Sequence, residues 1–187
     1  MLYTDDTMLF GVVDIDQNII IPARYNDLTI INKDLFLVYD LTSYYFINAS
    51  LERVFENGFS LVQPYSDLED VFLVTMDDGF YNLFTSDGSL LLDQSYQQIN
   101  KIYDSSSNTH LFIATNGNYI DYYLYQDNKL LKLDSLTNMQ LQEFTGGTII
   151  LINNNGNYIS YSIDEEKQVV YQEEYISLSA FSNGLSL

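Results

Sequence analysis

Few residues in this chain have types and spacings suited to chemistry. His110 is the single histidine, and there is no cysteine. That combination excludes disulfides, thiolate nucleophiles and the usual His/Cys zinc set. A Ser-His-Asp arrangement is formally available, but no Gly-x-Ser-x-Gly elbow accompanies it. His110 follows Ser105-Ser106-Ser107 at the start of an apolar run and reads as a surface residue. Asp14-Ile15-Asp16-Gln17-Asn18 opens like a calcium loop, but such a loop needs Gly at its sixth position and Glu at its twelfth, where this chain has Ile19 and Tyr25. The segment reads instead as a turn favoured by its Asp and Asn side chains. Adjacent acids occur at Asp5-Asp6, Asp77-Asp78, Glu165-Glu166 and Glu173-Glu174. Neighbours on a strand point to opposite faces, so none of these pairs sets two carboxylates across one cleft as glycoside hydrolysis requires. Gly146-Gly147-Thr148 has no following Lys and so lacks the mark of a phosphate loop. These readings leave no expected catalytic residue, cofactor or metal, and the chain is expected not to be an enzyme.

Tyrosine and acid offer another kind of chemistry, that of contact. The chain has 17 Tyr and 11 Phe but no Trp. Tyr44-Tyr45, Tyr119, Tyr122, Tyr123, Tyr125, Tyr158 and Tyr161 gather on apolar segments. Tyr presents a large area with a polar tip and is enriched at interfaces. In strands, one alternate set should pack inward and the other face out. The alternative is cross-strand aromatic packing that only stabilises a sheet. The residues expected to contact a partner are Asp77, Asp78, Tyr119, Tyr122, Tyr123, Glu165, Glu166, Glu173 and Glu174.

Charge sets the class of partner. Twenty-six acids against seven bases give a net charge of −19. Such a field repels nucleic acid and anionic membranes and attracts basic partners. Lys129 and Lys132 are isolated, so a nucleic-acid footprint is missing. An acidic surface also aids solubility without any partner. Residues 1–8 show no basic segment leading into an apolar one, and no apolar run approaches the ~20 residues of a membrane helix. The chain therefore reads as soluble and cytoplasmic.

The elements that would carry these side chains are strands. Apolar runs of four to six residues, bounded by Asp, Asn, Gly and Ser, recur throughout. In the first unit they are Leu9 to Asp14, Ile19 to Ile21 ended by Pro22, Leu28 to Ile31 and Leu35 to Val38. The last type returns as Val71 to Val74, Leu111 to Ala114 and Ile149 to Ile152. Polar turns follow at Asp77-Asp78-Gly79, Asn116-Gly117-Asn118 and Asn155-Gly156-Asn157. Asn-Gly favours a type I′ hairpin with both central residues at positive φ. The fourth strand of each unit should therefore pair with the first strand of the next: Tyr44 to Ile47, Phe80 to Phe84, Tyr119 to Leu124 and Tyr158 to Ile163. On the third of these, Tyr119, Asp121 and Tyr123 should face one way and Ile120, Tyr122 and Leu124 the other. Leu2 to Asp6 resembles a fourth strand without its unit. Val54 to Leu61 and Ser135 to Phe144 are the only segments with room for a helical turn.

Asp16, Ser50, Asp87, Asp127 and Glu166 mark equivalent turns at intervals of 34, 37, 40 and 39 residues. Nine residues after each comes a large apolar or aromatic residue: Tyr25, Phe59, Tyr96, Leu136 and Tyr175. Self-similarity at this period indicates units that cannot bury their apolar faces alone. The expected fold is all-β, with five tandem antiparallel repeats of three to four strands and about 34–40 residues each. The repeats form either an open twisted array or a small five-bladed propeller-like closure. One domain, 1–187, is expected, with units near 8–40, 41–78, 79–116, 117–155 and 156–187.

The first unit, Phe10-Gly11-Val12-Val13-Asp14 through Ile20-Ile21-Pro22-Ala23-Arg24-Tyr25-Asn26-Asp27, resembles a WG repeat. Phe10 stands at the family's Trp position, and Gly11, Asp14, Pro22 and Tyr25 match directly. Later units keep spacing more than identity. The resemblance implies an all-β repeat protein, usually bacterial or phage-borne, and supplies no catalytic residues. The function expected from these features is a non-enzymatic, acidic protein-interaction module. It would act as an inhibitor, immunity or anti-defence protein against a basic, nucleic-acid-handling partner. Two alternatives stand beside it: a carbohydrate-binding repeat protein using exposed Tyr, or a structural module of a larger assembly. The oligomeric state is left open.

Overall fold

The computed structural model describes residues 1–68, 70–133 and 139–162 and the strand Glu173–Tyr175. Within these residues all regular structure is β, arranged in antiparallel sheets of three or four strands. The fold is therefore all-β and built from tandem sheets. Contacts divide the chain into two compact units, Met1–Ser95 and Tyr96–Leu187.

The first unit holds three sheets. In the first, β1 (Leu2–Thr4), β2 (Phe10–Val13) and β3 (Ile19–Tyr25) pair in sequence order. The second joins β4 (Asp27–Ile30), β5 (Leu35–Tyr39) and β6 (Tyr44–Asn48), and the third joins β7 (Leu61–Pro64), β8 (Val71–Thr75) and β9 (Tyr81–Thr85). The second unit holds two four-stranded sheets. One runs through β10 (Gln98–Asp104), β11 (Thr109–Asn116), β12 (Tyr119–Gln126) and β13 (Lys129–Lys132). The other runs through β14 (Met139–Thr145), β15 (Thr148–Asn153), β16 (Tyr158–Ser162) and β17 (Glu173–Tyr175). Each sheet is a linear ladder with two edges.

The hairpins fall where the turn residues put them. Each expected fourth strand pairs with the following first strand: β5 with β6, β8 with β9, β11 with β12 and β15 with β16. The unaccompanied N-terminal segment supplies β1, which pairs with β2 in register Leu2↔Val12 to Thr4↔Phe10. Each hydrogen-bonded sheet therefore spans the junction between two sequence units.

Three local readings are corrected by the structure. Strand β3 runs through Pro22 instead of ending there. It is an edge strand, so the missing N–H of Pro22 costs no ladder bond. The turn at Gly117-Asn118 has positive φ at Gly117 alone (62°), which is a II′ pattern and not I′. The I′ signature, positive φ at both central residues, occurs instead at Asp127-Asn128 (47° and 59°) and at Gly146-Gly147 (57° and 73°). The expected helical turn over Val54 to Leu61 is a run of bends ending in β7, and Met139 to Phe144 lies in β14. Leu136 of the nine-residue register lies outside the described residues.

Where its side chains are described, the nine-residue register falls in the core. Tyr25, Phe59 and Tyr96 are all buried. Phe59 belongs to an aromatic cluster in which Phe46 sits 4.7 Å from Phe84, 5.1 Å from Phe72 and 6.0 Å from Phe59, centroid to centroid. Burying each such ring contributes roughly 1.5–3 kcal/mol. A second cluster of the first unit gathers Val12, Ile21, Tyr25, Leu28, Phe36 and Val38. In the second unit, Leu111, Tyr122, Leu124, Leu133, Ile149 and Leu151 form the core.

Candidate binding surface

Acidic side chains collect at turns because their carboxylates hold the turns together. Asp14 Oδ1 accepts the backbone N–H groups of Asp16 (2.9 Å) and Asn18 (2.8 Å), and its Oδ2 accepts from Asn18 Nδ2. The calcium-like segment is thus an Asx-type turn that satisfies its own backbone donors. Asn48 repeats the arrangement in the next unit, accepting from Ser50 N and Glu52 N. Asp5, Asp40, Asp78 and Asp87 each accept a backbone N–H two residues ahead. These hydrogen bonds favour the charged form. The Asn18 side-chain bond to Asp14, the Thr7 hydroxyl to Asp5 and the Thr85 hydroxyl to Asp87 hold those carboxyls below their ordinary value.

Asp104 does more than shape its own turn. Its Oδ1 accepts from Ser106 N and Oγ, while its Oδ2 accepts from Ser107 Oγ and from Gly147 N at 3.1 Å. The carboxylate therefore ties the β10–β11 turn to the β14–β15 turn, 43 residues away. Partial burial pushes its pKa up, but the hydroxyls of Ser107 and Ser106 and the two N–H donors outweigh this and hold it at about 2.

The expected contact residues separate into groups. Asp77 and Asp78 are exposed at the β8–β9 turn, where Gly79 at φ 83° closes the loop. Tyr119 is 64% exposed at the start of β12. Tyr122 and Tyr123, expected as contact residues, are 1% and 2% exposed and so pack inside the unit, where they are not available to a partner. Strand β12 is buried on both sides, so alternation selects between two packed faces and not between core and solvent. Glu165 and Glu166 lie outside the described residues. Glu173 and Glu174 fall on β17, paired with Ser160 and Ile159.

Tyr123 belongs to a polar network that sequence reasoning missed. The Tyr96 hydroxyl donates to Asp121 Oδ2 at 2.6 Å and lies 2.5 Å from the Tyr123 hydroxyl. Lys132, cross-strand from Tyr123, places Nζ 3.2 Å from Asp121 Oδ2. Asp121 is the one buried acid among the described side chains. An acid two residues from Tyr123 in an otherwise apolar, aromatic strand was the available signal. His110 is likewise buried, at 5% exposure, stacked on Tyr103 at 4.7 Å; it is a core residue, contrary to the surface expectation. Its position on β11, paired with Tyr103 and Tyr125, explains this: aromatic neighbours on both sides cover the ring.

No protein-family model matches the chain, and no curated protein matches it. Among the described residues no helix is long and apolar enough to cross a membrane.

Proposed function

We propose that this chain is a non-enzymatic, acidic protein-interaction module whose partner is a basic protein. One observation carries the reading: in a chain of net charge −19, every acid among the described side chains except Asp121 lies outside the buried core, and Asp5, Asp14, Asp40, Asp78, Asp87 and Asp104 fix their own turns by accepting backbone N–H groups. Fixed turns present charge without ordering cost on association. The exposed Asp77-Asp78 turn, on the tight β8–β9 hairpin, is the part of that surface assigned to contact. A nucleic-acid-handling protein offers the complementary field, so inhibition of such a partner, as an immunity or anti-defence protein would exert it, is the form of the role favoured here. The likeness of the first unit to a WG repeat agrees with a binding scaffold.

The carbohydrate reading rested on exposed Tyr along the Tyr-rich first strands. Of those residues Tyr45, Tyr122, Tyr123, Tyr125 and Tyr161 are buried, Tyr44 and Tyr158 are half-buried and Tyr119 is exposed, and no observation favours the reading over protein binding. Affinity capture from the source cells, with the retained proteins identified by mass spectrometry, tests the proposal. The expected outcome is a basic protein whose affinity drops about tenfold or more for Asp77→Asn/Asp78→Asn. Retention of neutral or acidic proteins alone, unaffected by that variant, would overturn it.

A further inference from the structure

The chain has two arginines, Arg24 and Arg53, and both line the same cleft of the first unit. Arg24 ends β3 beside Tyr25, and Arg53 follows β6, bridged to Ile47. The cleft has a volume of about 320 Å³, at the lower end of the ~300–1,000 Å³ typical of small-molecule sites. Its apolar wall is Val38, Ile47 and Leu51, the first two being buried core residues.

The guanidinium groups are held by aromatic faces and not by acids. Arg53 Cζ lies 3.7 Å from the Tyr45 ring centroid. Arg24 Cζ lies 5.0 Å from the Tyr25 centroid, and its Nη2 donates to Tyr25 Oη at 2.8 Å. Arg53 also donates from Nη1 to the Glu56 carbonyl at 3.4 Å. Each guanidinium has five N–H donors, so most remain for a ligand. Among the described residues neither arginine forms an ion pair, although acids outnumber bases 26 to 7. Asp40 lines the cleft too, but its Oδ1 is engaged by Thr42 N, Thr42 Oγ1 and Ser43 N.

We propose that this cleft binds a small ligand carrying one oxyanion head, a carboxylate or a phosphate monoester, on a short apolar or aromatic body. The planar fork of Arg matches both head groups in a bidentate manner, and stacking on Tyr fixes its orientation before the ligand arrives. The body lies against Val38, Ile47 and Leu51. The Asp40 carboxylate limits the site to one anionic head and offers its remaining oxygen to a hydroxyl or amine on the body. This site shares only Asp40 with the acidic turns, does not include the Asp77-Asp78 turn, and does not depend on the protein partner proposed above.

The test exploits the arginine count. In the intact chain labelled with nitrogen-15, the arginine Nε–Hε region contains two signals. Benzoate and phenyl phosphate are titrated separately, with inorganic phosphate as head alone and benzyl alcohol as body alone. Saturable, concerted movement of both signals with benzoate or phenyl phosphate supports the site, and the tighter of the two names the head group. Arg24→Gln and Arg53→Gln should each weaken binding about tenfold or more, while Lys33→Gln leaves it unchanged. Both arginines are exposed, and the backbone amide spectrum of each variant verifies that the fold is kept. Shifts that stay linear with every probe, or saturable binding that survives both arginine substitutions, would overturn the proposal.

Discussion

At Gly11 a built Cβ would lie 2.5 Å from Tyr3 Cε1, 2.6 Å from Ile21 O and 2.7 Å from Ala23 N. Two of those three are backbone, so the sheet itself would have to move. The Tyr3 hydroxyl accepts the Ala23 N–H at 2.9 Å across the same gap, which explains why a residue without a side chain sits in this part of the WG-like stretch. Gly11→Ala should cost about 1–3 kcal/mol in urea unfolding, and an unchanged midpoint would refute the close approach. The network around Asp121 makes a second demand. Lys132→Met removes a cation 3.2 Å from the buried carboxylate and should cost about 3 kcal/mol, whereas Tyr96→Phe removes one hydroxyl and should cost about 1–2 kcal/mol. Equal losses in the two variants would show that the ion pair is not the anchor of the network. Beyond the presence of an acid in an aromatic strand, the Asp121 network was not legible in the sequence, because burial on both faces of β12 depends on elements packed from far along the chain.

Strands and their order were legible for a local reason. Apolar runs with short Asp, Asn and Gly turns define hairpins, and a hairpin's partner is its neighbour in sequence. The backbone of the turns was less so. Asn116-Gly117-Asn118 admits two placements of its tight turn, and pairing of Asn116 with Tyr119 selects Gly117-Asn118 as the central residues. The Asp127-Asn128 turn holds two non-glycine residues at positive φ. Replacing them by Asn-Gly suits the same I′ geometry with less strain and should raise stability by about 0.5–1 kcal/mol, measured by thermal unfolding. A loss would mean that the Tyr125 hydroxyl bond to Asn128 Oδ1 (3.1 Å) matters more than backbone preference. Within the third sheet and its neighbours, Phe46 touches three other rings, and Phe46→Ala should cost about 3–5 kcal/mol.

For the molecule as a whole, its acids act in opposite directions with pH. Lowering pH from 7 protonates exposed carboxylates and relieves self-repulsion, so stability should first rise. Asp5, Asp14, Asp40, Asp87 and Asp104 have folded pKa values below 3.8, and Asp104 lies at about 2. A carboxyl depressed by folding contributes stability that is fully present above its unfolded value and is lost as pH falls through its folded value. Urea midpoints should therefore fall between about pH 4 and pH 2, and Asp104→Asn should flatten that limb. Spacing and composition announced a repeating, acidic, cysteine-free scaffold, and that much of the candidate surface was legible in the sequence. The convergence of both arginines on one cleft was not, since they stand on segments 29 residues apart that only the packing of the first two sheets brings together.

In the role proposed above, the fixed acidic turns are what a partner recognises. The most direct measurement is the dissociation constant for the captured partner between about 50 and 500 mM salt. Affinity should weaken steeply with salt, an effect carried by the association rate and reduced in Asp77→Asn/Asp78→Asn. An affinity that stays constant across that range would contradict it.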